Sequence, residues 1–189
     1  MKMNSIHSRP LGNAMRFVCV ILFCGACVFA QKLQSNNGVL DAVTPTPNLY
    51  PADANATREI EEAKQAAAEA NKRILLVFGG NWCYDCHVLD KALHEGEAGQ
   101  IVSESFLLIH VDIGEGEKNL DLVKLYKVPL DRGVPAVAIL DATGKLLYSS
   151  GEGQFEAARR MMKKDLVAFL QKWRISKQPK SRKTHLPSS

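Results

Sequence analysis

Apolar residues in this chain recur with periods that change from segment to segment. Ile60, Ala63, Ala67 and Ala70 return at helical spacing and predict a helix over 57–72 with a narrow, small-residue face. Thr57 reads as its N-cap. Glu59, Glu61 and Glu62 lie in the first turn and Lys72 and Arg73 in the last, matching the helix dipole at both ends. Residues 74–78 are continuously apolar, a strand signature, and Gly79-Gly80 stops the run. A second amphipathic helix is expected from about 83 to 95, with helical structure continuing over 101–104. Residues 106–111 read as a strand closed by Asp112, and Gly114 and Gly116 punctuate the loop that follows. Leu120, Val123, Leu125 and Tyr126 mark a short helix over about 118–127. Residues 136–140 form a further strand, which Asp141-Ala142-Thr143-Gly144 turns back into 145–149 as a hairpin. Phe155, Ala158, Met162, Leu166, Phe169, Leu170 and Trp173 predict a C-terminal amphipathic helix. The order α-β-α-β-α-β-β-α predicts an α/β fold: a central mixed sheet of about four strands, with helices on both faces.

The two ends of the chain pattern differently. Lys2, Arg9 and Arg16 precede an uninterrupted apolar or small-residue run over 17–30, which is shorter than the ~20 residues of a bilayer-spanning helix. This layout, with Val28-Phe29-Ala30 before Gln31, predicts a secretory signal over 1–30, with an uncleaved anchor as the alternative. Residues 31–56 are rich in Asn, Ser, Thr, Pro and Ala. Pro45, Pro47 and Pro51 interrupt any regular element there, so the stretch reads as a flexible tether. The folded domain is placed at 57–175 and a basic, disordered tail at 176–189.

Removing the leader changes the composition. It takes Lys2, Arg9 and Arg16 from the 24 basic residues and none of the 20 acidic ones, so the remainder is nearly charge-balanced and nothing in it suggests a nucleic-acid surface. Cys19, Cys24 and Cys27 leave with it, and of five cysteines only Cys83 and Cys86 stay. An exported chain with one close Cys pair has no separate disulfide framework, which points to chemistry rather than scaffold. The expected compartment is the periplasm or the exterior, with the membrane reached only through an uncleaved signal.

Asn81-Trp82-Cys83-Tyr84-Asp85-Cys86-His87 follows a buried strand and a glycine turn and opens a helix. Cysteines at i and i+3 face one side of the first turn and can close a small disulfide. The free amides and positive dipole end at a helix N-terminus favour a thiolate. These features predict thiol–disulfide exchange. Two other readings of the pair stay open. Cys83-x-x-Cys86-His87 has the spacing of a c-type haem attachment site with His87 as ligand. Alternatively, the cysteines are structural or idle in a binding module. As a metal site, Cys83, Cys86 and His87 would lack a fourth ligand, and none is expected.

With these motifs in order, residues 57–175 resemble the thioredoxin family. The resemblance rests on Trp82-Cys83-x-x-Cys86 after the strand, on Arg132-Gly133-Val134-Pro135 opening a later strand, and on the closing hairpin and helix. It implies a thioredoxin-like fold and an enzyme without a cofactor, in which Cys83 attacks substrate disulfides and Cys86 resolves the mixed disulfide. Pro135 would be a cis-proline beside the pair, exposing the Val134 backbone to a docking substrate strand, and Trp82 would shield the pair and shape its rim. Protein thiols and disulfides are the implied partners, with a membrane electron donor as a further one. The family's buried Asp, which helps deprotonate the resolving thiol, is replaced by Val77. Asp85 and His87 are the candidates for pKa tuning, against the plainer reading that both are solvent-exposed. A carboxylate near the sulfurs disfavours the thiolate and leans the site toward reductant rather than oxidant.

Overall fold

The computed structural model describes residues 37–175. The leader over 1–30 and the tail over 176–189 lie outside the described residues. Helix α1 spans Ala56–Ala70, strand β1 Arg73–Gly79, α2 Tyr84–His94, α3 Gly96–Ser105, β2 Phe106–Asp112, α4 Leu120–Leu125, β3 Ala136–Leu140, β4 Leu146–Ser149 and α5 Lys163–Trp173. The four strands form one mixed sheet in the order β2-β1-β3-β4. β2 runs parallel to β1, whereas β3 is antiparallel to β1 and β4 to β3.

β1 is central and covered on both faces, which accounts for its unbroken apolar run. Leu75 and Val77 pack with Val88, Leu89, Ile101 and Leu166 from α2, α3 and α5. Ile74, Leu76 and Phe78 point the other way, onto Ile60, Ala63 and Ala67 of α1 and Leu122 of α4. The small-residue face of α1 lets that helix lie close to the sheet.

Several boundaries differ from the sequence reading, each for a local reason. Asn55, not Thr57, caps α1, its Oδ1 accepting from Arg58 N at 3.0 Å. Asn71, at φ 51, ends that helix in the left-handed conformation, so Lys72 and Arg73 fall beyond it. Positive φ at Asn119 and Lys127 brackets α4 and keeps it short. The last helix begins at Lys163, well after Phe155. Met162 is held extended by a bridge to Val39, and Phe155 and Ala158 are buried in the turns before it.

The largest correction concerns the expected tether. From Gly38 onward the chain packs on the domain. Leu40 N donates to Met161 O at 2.9 Å and Lys163 N to Gly38 O at 2.8 Å, with Leu40 and Tyr50 buried. The proline-rich composition rules out a helix or ladder strand here, but it leaves isolated apolar side chains free to fill sockets on the sheet's helical layer.

Ser150, after β4, is fully buried, and its Oγ accepts from Val137 N at 2.8 Å. Ser150→Ala leaves that amide unpaired and is expected to destabilise the fold by about 1–3 kcal/mol. Urea unfolding with an unchanged m-value would show this as a lowered midpoint.

Candidate active site

The β1–α2 connection builds the site. Gly80 leaves room for the Trp82 indole, since a Cβ there would lie 2.7 Å from Trp82 Nε1. That nitrogen donates to Gly114 O at 2.7 Å, fixing the ring across the loop after β2 while it stays 55% exposed. Trp82 is therefore an anchored surface aromatic rather than a core residue.

Cys83 is the N-cap of α2. Its Sγ accepts from the Cys86 amide at 3.1 Å, one of the free N–H groups of the first turn. The two cysteines are joined as a disulfide with Cα atoms 5.3 Å apart. Cys83 Sγ lies 3.6 Å from the carbonyl oxygen of Val134, and the Val134–Pro135 peptide is cis. Thus Cys83, Cys86, Val134 and Pro135 meet at one point, drawn from two loops about fifty residues apart.

Asp85 and His87 are not solvent-exposed. They are 7% and 3% accessible, and both are occupied. Asp85 Oδ1 accepts from Arg159 N at 2.7 Å and its Oδ2 lies 3.3 Å from Arg159 Nη2, tying α2 to the 158–160 turn. His87 Nε2 lies 2.9 Å from Asn81 O, an acceptor only, so that nitrogen carries the proton. The arrangement does not fit haem. Axial ligation needs a free ring nitrogen, and Nε2 of the buried His87 is committed to the Asn81 carbonyl.

Asn81, at the head of the motif, and Tyr50, outside it, complete the site. Asn81 clamps the backbone of Tyr50 from both sides, accepting from Tyr50 N at 2.9 Å and donating to Tyr50 O at 2.7 Å. Tyr50 then packs with Leu49 and Val134 against Cys83 and Cys86. The one sequence clue was Gly79. A Cβ there would lie 2.5 Å from both Cys86 Sγ and the Tyr50 hydroxyl.

A family model described as thioredoxin-like matches residues 55–142. The solved structure of a disulphide isomerase from Xylella fastidiosa Temecula1 is similar at 33% sequence identity and TM-score 0.62, over 66% of this chain and 95% of that one. The chain belongs to the thioredoxin family. An uncharacterized protein of Caenorhabditis elegans is 40% identical over 67 residues, which make up 35% of this chain and 9% of that protein. The fold of this thioredoxin-family chain is the expected one, a mixed four-stranded sheet with helices on both faces and a bonded Cys-x-x-Cys pair at the start of α2. The family match begins at residue 55 and so leaves Tyr50 outside it.

Proposed function

We propose that this chain is a thiol–disulfide oxidoreductase that exchanges disulfides with protein substrates through Cys83 and Cys86. The observation that carries the reading is the Cys83 sulfur at the N-cap of α2, on the Cys86 amide and bonded to Cys86. In the reduced protein the same amide and the helix dipole stabilise a Cys83 thiolate. That thiolate attacks a substrate sulfur, and one substrate cysteine leaves as a thiolate. Cys86 then attacks Cys83 Sγ, closes the disulfide and releases the second substrate sulfur. The Val134 backbone, beside Cys83 and ahead of Pro135, is placed to pair with an extended substrate segment, with Trp82 on the exposed rim.

We read the direction as reductive. Asp85 supports that less than its sequence position implies, because Arg159 shares its charge. Stronger support comes from the burial of both sulfurs in an apolar pocket, which opposes the helix N-terminus and limits how far a thiolate is stabilised, and with it strong oxidant behaviour. The composition of residues 1–30 supports export to the periplasm or exterior. There a membrane electron donor is the class of partner that would restore the dithiol.

Cys86→Ala tests the assignment of roles. With the resolving thiol gone, insulin should stay covalently trapped on Cys83. Mass spectrometry should show the adduct, and dithiothreitol should release it. Failure to trap, under conditions where denatured Cys86→Ala protein does react, would rule out Cys83 as the nucleophile.

A further inference from the structure

Among the described residues the Tyr50 hydroxyl has no hydrogen-bond partner, although the residue is 1% exposed. Buried polar groups are rarely left this way, and an orphan next to reactive atoms calls for a physical account. This one lies beside the disulfide. A Cβ on Gly79 would sit 2.5 Å from both the hydroxyl and Cys86 Sγ, so the two atoms are separated by at most twice that distance, with nothing on Gly79 between them.

The surroundings fix the ring. Asn81 holds the Tyr50 backbone on the loop that leads into Cys83. His110 meets the ring edge-on at a centroid distance of 5.2 Å, and His110 Nε2 lies 3.0 Å from Asp90 Oδ1, outside hydrogen-bond alignment with it. In the β1–β2 register His110 stands beside Val77, whose own side chain is apolar and buried. Tyr50 packs on the cysteine pair with Leu49 and Val134, and of these three it is the one with a polar side-chain group.

We infer that the Tyr50 hydroxyl is the hydrogen-bond donor to Cys86 once the disulfide opens, and that it stabilises the thiolate which resolves the mixed disulfide. The inference rests on the thiol-exchange reading above. A disulfide sulfur is a poor acceptor and leaves the hydroxyl orphaned, whereas a thiolate at Cys86 is a strong one. During resolution Cys86 gives up its proton to the departing substrate thiolate, the Cys86–Cys83 bond forms and the Cys83–substrate bond breaks. The cysteine pair loses two electrons and the substrate disulfide gains them. Burial, with the Asp90 and Asp112 carboxylates nearby, pushes the Tyr50 pKa well up. The group therefore stays a neutral donor throughout.

Tyr50→Phe keeps the ring and removes only the unpartnered oxygen, so the oxidised variant should melt no lower than wild type. In the reduced protein, iodoacetamide labelling mapped by mass spectrometry should be about tenfold slower at Cys86 and unchanged at Cys83. The Cys86 pH profile should move to higher pH, since a hydrogen bond to the charged form favours ionisation. Stopped-flow oxidation by glutathione disulfide should show the same slowing in the second step only. Equal Cys86 labelling in the two proteins overturns the inference, whether or not either one exchanges disulfides. If neither protein reacts with glutathione disulfide, the exchange reading fails, and the labelling comparison still decides the role of Tyr50. Should Tyr50→Phe fold poorly, difluorotyrosine at position 50, a stronger donor of nearly the same shape, should speed Cys86 labelling. No change with it is equally fatal.

Discussion

Cys83→Ser is expected to bring insulin-disulfide reduction down to the uncatalysed rate, a loss on the order of a thousandfold or more, as when other enzymes lose their nucleophile. The fold should survive the change. Cys83 caps α2 by accepting from the Cys86 amide, and serine is among the preferred residues for that position. A folded, inactive variant thus separates chemistry from structure, with circular dichroism to check the fold and insulin turbidity to check the rate. Equal rates for variant and wild type would make the cysteines idle and the domain a binding module.

Tyr50→Ala is expected to produce the largest loss of stability, about 3–5 kcal/mol by analogy with other buried aromatics cut to alanine. Its side chain is fully buried against the disulfide, Leu49, Val134 and His110. For a folded region of this size that corresponds to a fall in Tm of roughly 10–17 °C. A fall of only a degree or two in thermal unfolding would mean that the 38–55 segment is not seated on the domain.

The contrast between β1 and the 38–55 segment shows what the sequence could reveal. Residues 74–78 announce a doubly covered strand because burial on both faces demands an unbroken apolar run. Cys83 and Cys86 are legible for a similar reason, since their spacing alone sets them on one side of a helical turn. Leu40 and Tyr50 close short apolar pairs, Val39-Leu40 and Leu49-Tyr50, in a polar, proline-broken stretch, and no period marks them. Their burial depends on sockets built by distant residues (Asn81, Gly79 and His110 for Tyr50, Met161 for Leu40), which tertiary structure alone assembles. The burial of Asp85 and His87 was hidden in the same way. Asp85 answers to Arg159, 74 positions away, and His87 to a carbonyl whose direction depends on the glycine turn. Helical spacing from Phe155 onward places the start of α5 too early, because it says nothing of the Val39–Met162 bridge.

The Asn81 side chain reads the main chain of residue 50 rather than its side chain, so any residue with a backbone N–H would be gripped there in the same way. Whatever amino acid occupies position 50 is delivered to the inner sulfur. Relatives could retune the reactivity of that sulfur by a single exchange in a stretch that contributes no helix or strand of the sheet. A fragment trimmed to begin at Ala56 would keep every regular element and still open the inner cysteine to water.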